Sequence, residues 1–312
     1  MDTSQFKKLY DELEKDRKSS HNFFLIFLLV GIAFLILGII ALLCTESDVL
    51  FILGGIGFLF GIIAIGIALG KKSAFKRNVQ KMVEVKVAET LFPGASYDAK
   101  EGLSYETVMK PGFFAAPDRF FSANLMKASY KGVAFKKSSY DLQKKHTSTD
   151  SKGHTTVTYV TYASGTMYCF HFERDFKQIV KVLEKEGVLS FGMSEKGLSK
   201  VETEFIQFNK KFKVLASDET LVFYLLTPQI QENIMKLEQA YKGGFYLAYM
   251  GDELYVAIND SGESMSIPFS KPINEKTMKP VITFAGAPAF FVDTLSLDSN
   301  KYKANAGTDI KQ

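Results

Sequence analysis

The chain has 312 residues, of which 46% are hydrophobic and 23% are charged, and its formal net charge is +4. The apolar residues are concentrated, because Glu46 and Asp48 are the only charged residues between Phe23 and Gly70, whereas the chain from Lys71 onward has an ordinary globular composition. This distribution excludes a purely soluble protein, a disordered protein and a transporter with many spans, and the small net charge gives no argument for nucleic-acid binding.

Residues 1–22 are predicted to form a cytoplasmic amphipathic helix. Phe6, Leu9, Tyr10 and Leu13 follow the i, i+3, i+4, i+7 spacing of one helical face, and the charges around them are balanced. A helix that lies in a membrane interface usually has a basic polar face. We therefore expect this helix to pack on protein.

Residues 23–70 are predicted to form a transmembrane hairpin. Two uncharged stretches, 23–44 and 49–70, contain 22 residues each, enough at about 1.5 Å per residue to cross a hydrocarbon core of roughly 30 Å. Lys and Arg residues flank the hairpin on both sides but are absent from its connection. This asymmetry predicts two spans in the plasma (inner) membrane with both termini in the cytoplasm. Since neither span contains a charged residue, a channel or transporter is disfavoured.

The second span contains two pairs of glycines at four-residue spacing, Gly57 with Gly61 and Gly66 with Gly70. Such spacing lets helix backbones approach closely. One hypothesis is packing against the first span, which contains Gly31 and Gly38. The other is a homo-oligomer formed through the four glycines of the second span.

Residues 71–92 are predicted to continue the second span as a juxtamembrane basic helix that ends before Pro93-Gly94. Its basic residues allow two interpretations, a signal for membrane orientation and a set of contacts with anionic lipid headgroups. The candidate headgroup contacts are Lys71, Lys72, Lys76, Arg77 and Lys81.

The cytoplasmic region is predicted to be α+β with antiparallel sheet, in two subdomains, 93–195 and 196–312. In the first, strands lie between Phe120 and Phe172, with turns at 147–153 and 163–165, and a helix follows from Asp175 to Gly187. Since hairpins link successive strands, a doubly wound sheet is disfavoured.

The second subdomain repeats this mixture. A short helix is predicted at 202–211, strand at 212–226, and a helix opened by Thr227-Pro228. Gly251-Asp252 predicts a two-residue hairpin turn, and a last helix is expected around Pro288.

The segment Val201 to Leu237 carries a family resemblance. It contains a Phe-x-Val strand (Phe212, Val214), then Asp218, then Leu226-Thr227-Pro228 and a helix; ELYVAI and TLSLD follow in order. These residues resemble the domain-of-unknown-function 3137 (DUF3137) family, bacterial proteins with two N-terminal spans ahead of a cytoplasmic domain. The resemblance implies a bacterial membrane location but no activity, and the family supplies no catalytic residues.

The chain contains no recognisable catalytic or cofactor motif. Strand alternation places Cys169, His171 and Glu173 on one face, and all three side-chain types can ligate zinc. The competing interpretation is a solvent-facing strand surface. We therefore predict a membrane-anchored interaction module without cofactor, which binds a protein partner or lipid headgroups. The alternative is a membrane-proximal enzyme with a metal site near Cys169, His171 and Glu173.

Overall fold

The computed structural model describes residues 6–44, 47–185, 196–241, 243–262 and 265–304. The chain divides into two compact units. The first, Met1–Val83 with Ser266–Thr283, is called the hairpin unit below. The second, Glu84–Met265 with Phe284–Gln312, is called the sheet unit.

Two long helices dominate the hairpin unit. Helix α1 (Lys7–Cys44) joins the predicted amphipathic segment to the first apolar stretch, and α2 (Asp48–Leu91) joins the second apolar stretch to the basic segment. Helix α2 ends two residues before Pro93, as predicted from the breaking effect of Pro93-Gly94. Both helices are long and apolar enough to cross a membrane.

Glycines set the contact between α1 and α2 within the hairpin unit. A Cβ atom built on Gly38 would lie 2.7 Å from the Phe58 amide nitrogen and 2.8 Å from the Gly54 carbonyl oxygen. A Cβ on Gly61 would lie 2.8 Å from the Gly31 carbonyl oxygen. Gly61 therefore packs against the first span, whereas Gly66 and Gly70 face open space.

The N-terminal part of α1 packs on residues 266–283 of the same unit. Phe6, Leu9, Tyr10 and Leu13 are buried, in agreement with the helical spacing. The Phe269 ring makes edge contacts with Phe24 and His21. The hairpin unit thus has a small core of its own at the N-terminal part of α1, which reaches the first residues of the apolar stretch.

The sheet unit is built on nine antiparallel strands in one sheet, in the order β1-β2-β3-β4-β9-β8-β5-β7-β6. This confirms the α+β antiparallel prediction. Strands from both sides of residue 195 pair in this sheet, since β5 lies between β8 and β7. The strands are β1 Ser96–Asp98, β2 Arg119–Tyr130, β3 Val133–Thr149, β4 Thr155–His171, β5 Ile179–Glu184, β6 Ser199–Val201, β7 Phe212–Ala216, β8 Gly244–Met250 and β9 Glu253–Asn259.

Helices cover one face of the sheet, which we call the helix face. There the Phe291 ring of α8 contacts Tyr168 and Phe170, and Phe92 contacts Phe135. Besides α1 and α2, the described helices of the whole chain are α3 Tyr105–Met109, α4 Ile206–Lys211, α5 Glu219–Leu225, α6 Pro228–Ala240, α7 Glu275–Ala285 and α8 Ala287–Leu295. Of these, α3 lies over the opposite face of the sheet, and most of α7 belongs to the hairpin unit.

The opposite face, which we call the groove face, is covered over part of its area by residues 99–118. Phe113 and Phe114 from this segment contact Tyr246 and Tyr140 of the sheet. Beyond this cover the described part of the chain leaves cavities over the groove face, and the candidate site lies there.

Three of the elements predicted for residues 93–312 are wrong. The apolar positions at Phe176, Ile179, Val180 and Leu183 predicted a helix, but residues 179–184 form β5, while the predicted end at Gly187 lies outside the described residues. Because β5 is a central strand buried on both faces, its consecutive buried residues do not alternate, and a short apolar run of this kind also fits a helix.

The predicted turn at 163–165 is wrong as well, because β4 runs unbroken from Thr155 to His171. Gly165 is instead a strand residue that leaves room for β9, since a Cβ atom there would lie 1.9 Å from the Ile258 carbonyl oxygen. The predicted strand at 212–226 ends at Ala216, where Asp218 caps α5 by accepting a hydrogen bond from the Thr220 amide.

Candidate ligand groove

The candidate site lies on the groove face of the sheet unit, where β2, β3, β4 and β9 lie side by side. The register places Lys127 of β2 opposite Lys136 of β3, and Lys136 opposite Cys169 of β4. It also places His171 of β4 opposite Glu253 of β9. We define the lysine groove by these residues and by a lysine that follows α3: Lys110, Lys127, Lys136, Cys169, His171 and Glu253.

The groove consists of two adjoining cavities of about 400 Å³ and about 520 Å³. Both are lined by Lys136, Cys169 and Glu253. The first extends toward Lys127 and His171, and the second toward Lys110 and Tyr255. This space is large enough for a small charged group or a headgroup-sized ligand.

At one end of the groove, a lysine and a carboxylate form an ion pair with each other. The Lys110 ammonium lies 2.8 Å from Glu253 Oε2, and the Tyr255 hydroxyl donates to the same carboxylate. Partial burial by itself raises the pKa of Glu253, but the hydrogen bonds from Lys110 and Tyr255 outweigh it, so the pKa is lowered overall. Glu253 is therefore an ionised, already paired carboxylate.

The other end contains two lysines, one of which, Lys136, is attracted by Glu253 without a direct ion pair. Lys127 and Lys136 are both exposed and stand directly opposite each other, with Cβ atoms expected about 5 Å apart in such a pair. Among the described residues, neither ammonium lies within ion-pair distance of a carboxylate. Like charges directly opposite on neighbouring strands are destabilising. Two primary amines that converge in this way favour an anionic ligand bound between them.

The structure does not support the metal hypothesis at Cys169, His171 and Glu173. Cys169 and His171 lie on one face as predicted, but β4 ends at His171, and Glu173 is outside the lysine groove. Within the described residues, no three His, Cys, Asp or Glu side chains are close enough together to hold a metal ion.

Cys169 is not an activated thiol. Burial raises its pKa to about 12, so the thiol is protonated near neutral pH and is a poor nucleophile. His171 is well exposed, and its Nδ1 lies 3.4 Å from Asp252 Oδ2.

Sequence reasoning did not identify Lys110, Lys127 or Lys136, although part of the signal was present. Lys131-Gly132 is the two-residue turn that joins β2 to β3, and both residues have positive φ, as a type I′ hairpin turn requires. In a hairpin centred on these two residues, positions 127 and 136 must oppose each other. The approach of Lys110 to Glu253, 143 residues apart, leaves no such trace in the sequence.

The predicted headgroup residues lie in the hairpin unit, on α2 after its apolar stretch. Lys71, Lys76, Arg77 and Lys81 are exposed, whereas Lys72 is half-buried. The Lys72 ammonium lies 5.6 Å from the centre of the Phe24 ring. Four of the five residues thus present their charge to the surroundings of the helix.

Part of the chain matches a known protein family. Residues 162–285 match the model of the family described as a protein of unknown function (DUF3137), and this confirms the resemblance found in the sequence. No curated protein matches the chain.

One solved structure with a similar arrangement is the crystal structure of the mycobacterial trehalose monomycolate transport factor A, TtfA. The sequences are 8% identical, the TM-score is 0.39, and the alignment covers 69% of this chain and 95% of that one. A similarity at this level supports no inference about function.

Proposed function

We propose that the protein is a membrane-anchored interaction module whose sheet unit binds an anionic group in the lysine groove. In this proposal α1 and α2 cross the plasma (inner) membrane of a bacterium as a two-span hairpin, and both termini are cytoplasmic. The observation that carries the binding function is the facing pair Lys127 and Lys136, which has no carboxylate partner among the described residues.

The groove favours a compact anion such as a phosphate or a carboxylate group. A single anion between Lys127 and Lys136 would remove their mutual repulsion and accept hydrogen bonds from both ammonium groups. His171 borders the same cavity and can donate a further hydrogen bond. Glu253 borders this cavity too and attracts Lys136 electrostatically, but its direct ion-pair partner is Lys110.

An anionic lipid headgroup is the ligand that we favour over a protein partner. The support comes from the hairpin unit, where four exposed basic residues follow an apolar helix without a break: Lys71, Lys76, Arg77 and Lys81. Basic residues next to a membrane attract anionic lipids by about 1 kcal/mol each. A chain that recruits such lipids around its own anchor has ligands of the required chemistry at high local concentration.

The binding experiment uses the intact protein in a non-ionic detergent. Water-soluble dihexanoyl phosphatidic acid is titrated by calorimetry, with dihexanoyl phosphatidylcholine as the zwitterionic counterpart and inorganic phosphate as the free anion. We expect saturable binding of the phosphatidic acid, and its loss in a Lys127→Gln, Lys136→Gln double variant. Lys152→Gln, a change at the exposed tip of the β3–β4 hairpin, is the matched control and should bind normally.

The three ligands distinguish the sources of the anion. Comparable binding of inorganic phosphate assigns the groove to phosphate in general, and preference for phosphatidic acid assigns it to the headgroup. Unchanged binding of every ligand by the double variant contradicts the proposal.

Self-association through the second span is a further part of this proposal. Gly66 and Gly70 are the candidate contacts, because a Cβ atom on either would meet nothing within 4 Å. Gly61 is occupied by the first span and Gly57 lies near Gly38 and Phe34, so these two are less available to a second copy.

A further inference from the structure

Strands β3 and β4 extend well beyond the rest of the sheet. Strand β2 pairs with β3 as far as Gln143, and β9 pairs with β4 only from Thr166 onward. Residues 144–149 and 155–160 nevertheless continue to pair with each other, from Lys144 opposite Val160 to Thr149 opposite Thr155. We call this two-stranded extension the ribbon.

No described third strand pairs with the ribbon, although the Lys145 amide on its β3 edge donates a hydrogen bond to Asp118 Oδ2. A two-stranded structure of this kind is marginally stable in water by itself. Val157 and Val160 are 45% and 50% exposed on it. At its base the Arg119 guanidinium stacks on the Tyr159 ring at 3.4 Å, which covers a small part of one face. A partner strand along one edge would add the third strand that such a structure needs for stability.

The two edges of the ribbon differ in charge. The β3 edge carries Lys144 and Lys145, and positive charges of this kind protect an edge from pairing with another copy of itself. The β4 edge, residues 155–163, reads TTVTYVTYA and contains no charge and no proline. Along this stretch no described strand other than β3 pairs with β4.

We infer that the β4 edge pairs antiparallel with the same edge of a second copy of this chain, about a two-fold axis at Thr158. In this register the segment complements itself, since Val157 stands opposite Tyr159 and Thr158 opposite its own copy. Pairs of an aromatic with a β-branched residue and pairs of threonines are both favourable across antiparallel strands. Thr155 opposite Thr161 and Thr156 opposite Val160 complete the interface.

Cysteine cross-linking in membranes tests the register with the full chain. The background is Cys44→Ser, which leaves Cys169, a buried thiol. Opposed residues lie about 5 Å apart in such a pair, so Thr158→Cys should form an intermolecular disulfide on mild oxidation. Thr155→Cys is the matched control, because six residues of strand separate it from its copy by about 20 Å. Equal cross-linking at both positions, or none at Thr158→Cys, overturns the inference.

A second experiment separates this interface from association through the hairpin unit. Co-expressed Thr156→Cys and Val160→Cys chains should cross-link to each other. Adding Thr158→Lys to both chains places two ammonium groups face to face and should abolish the cross-linked dimer. Thr147→Lys, on the other strand of the same ribbon, should leave the dimer intact. Persistence of the dimer with Thr158→Lys overturns the inference.

Discussion

At the residue scale, the sheet unit contains a buried ion pair between Lys137 and Glu84. The Lys137 ammonium lies 2.8 and 2.9 Å from the two oxygens of Glu84 and 3.2 Å from the Ala285 carbonyl oxygen. The two side chains are 4% and 3% exposed. A charge at such burial is tolerated only while its partner and its hydrogen bonds are present.

We expect Glu84→Gln to destabilise the protein by about 3 kcal/mol or more, because the Lys137 charge stays buried without its carboxylate. Glu89→Gln is the control on the same helix, since Glu89 pairs with Lys86 at an exposed site and should cost less than about 1 kcal/mol. Chemical unfolding of the intact protein in one detergent measures both. Adding Lys137→Met to Glu84→Gln should recover much of the loss, and equal losses for the two single variants would contradict this account.

At the element scale, the hairpin unit is held by two different kinds of contact. Its apolar stretches meet through backbone surfaces at Gly31, Gly38, Gly54 and Gly61, where a side chain has no room. In the N-terminal part of α1, polar contacts add to the small apolar core described above. Glu14 binds the Arg17 guanidinium at 2.7 Å and accepts a hydrogen bond from the Ile273 amide at 2.7 Å.

Gly38→Leu should separate the two apolar helices and lower the thermal unfolding midpoint of the solubilised protein, because the atoms that it meets are backbone atoms of Phe58 and Gly54. Gly66→Leu should leave the midpoint nearly unchanged, since that position is open. If Gly66→Leu instead abolishes an oligomer of the hairpin at unchanged midpoint, the proposed self-association through Gly66 and Gly70 gains support. Equal losses of midpoint for the two variants would argue against the packing described.

The contacts of Glu14 predict that the stability of the folded protein depends on pH. The hydrogen bond from Arg17, helped by the Ile273 amide and opposed by burial, lowers the pKa of Glu14 to about 2. Since this value lies below the unfolded-state value of about 4.3, Glu14 stabilises the folded state above that pH, and its contribution is lost as the pH falls toward 2. Glu14→Gln should therefore cost about 2 kcal/mol at pH 7 and progressively less below pH 4.

The measurement is the difference in unfolding free energy between the wild type and Glu14→Gln at several pH values. Glu12→Gln, an exposed position on the same helix, is the control and should show no such trend. A wild-type advantage that stays constant down to the lowest pH would contradict the depressed pKa.

At the scale of the whole molecule, the chain combines two apolar helices with a single nine-stranded sheet. The sheet is continuous from β1 to β6 and leaves one face partly open, where the lysine groove lies. The proposed membrane anchor and the proposed ligand groove therefore lie in separate parts of the chain.

The proposed topology predicts which residues can be labelled from outside a bacterial cell. In a Cys44→Ser background, Ser47→Cys, at the connection between α1 and α2, should react with a membrane-impermeant maleimide in intact cells. Lys152→Cys, at the tip of the ribbon, should react only after lysis. The reverse pattern would place the sheet unit outside the cytoplasm and contradict the proposed orientation.

The sequence by itself determined the features that depend on local patterns. Two uncharged stretches of 22 residues predict long apolar helices, since length and hydrophobicity alone decide this. Thr227-Pro228 opens α6 and Gly251-Asp252 turns β8 into β9, as predicted, because these residue types favour those backbone conformations directly.

Only the tertiary structure decided which elements meet. Burial on both faces made residues 179–184 a strand where their spacing also fits a helix, and Gly165 is required by the approach of β9 rather than by a turn. Glu84 meets Lys137 across 53 residues, and Lys110 meets Glu253 across 143. Contacts between distant residues are set by how strands and helices pack, so neither the buried ion pair nor the complete lysine groove could be derived from local sequence.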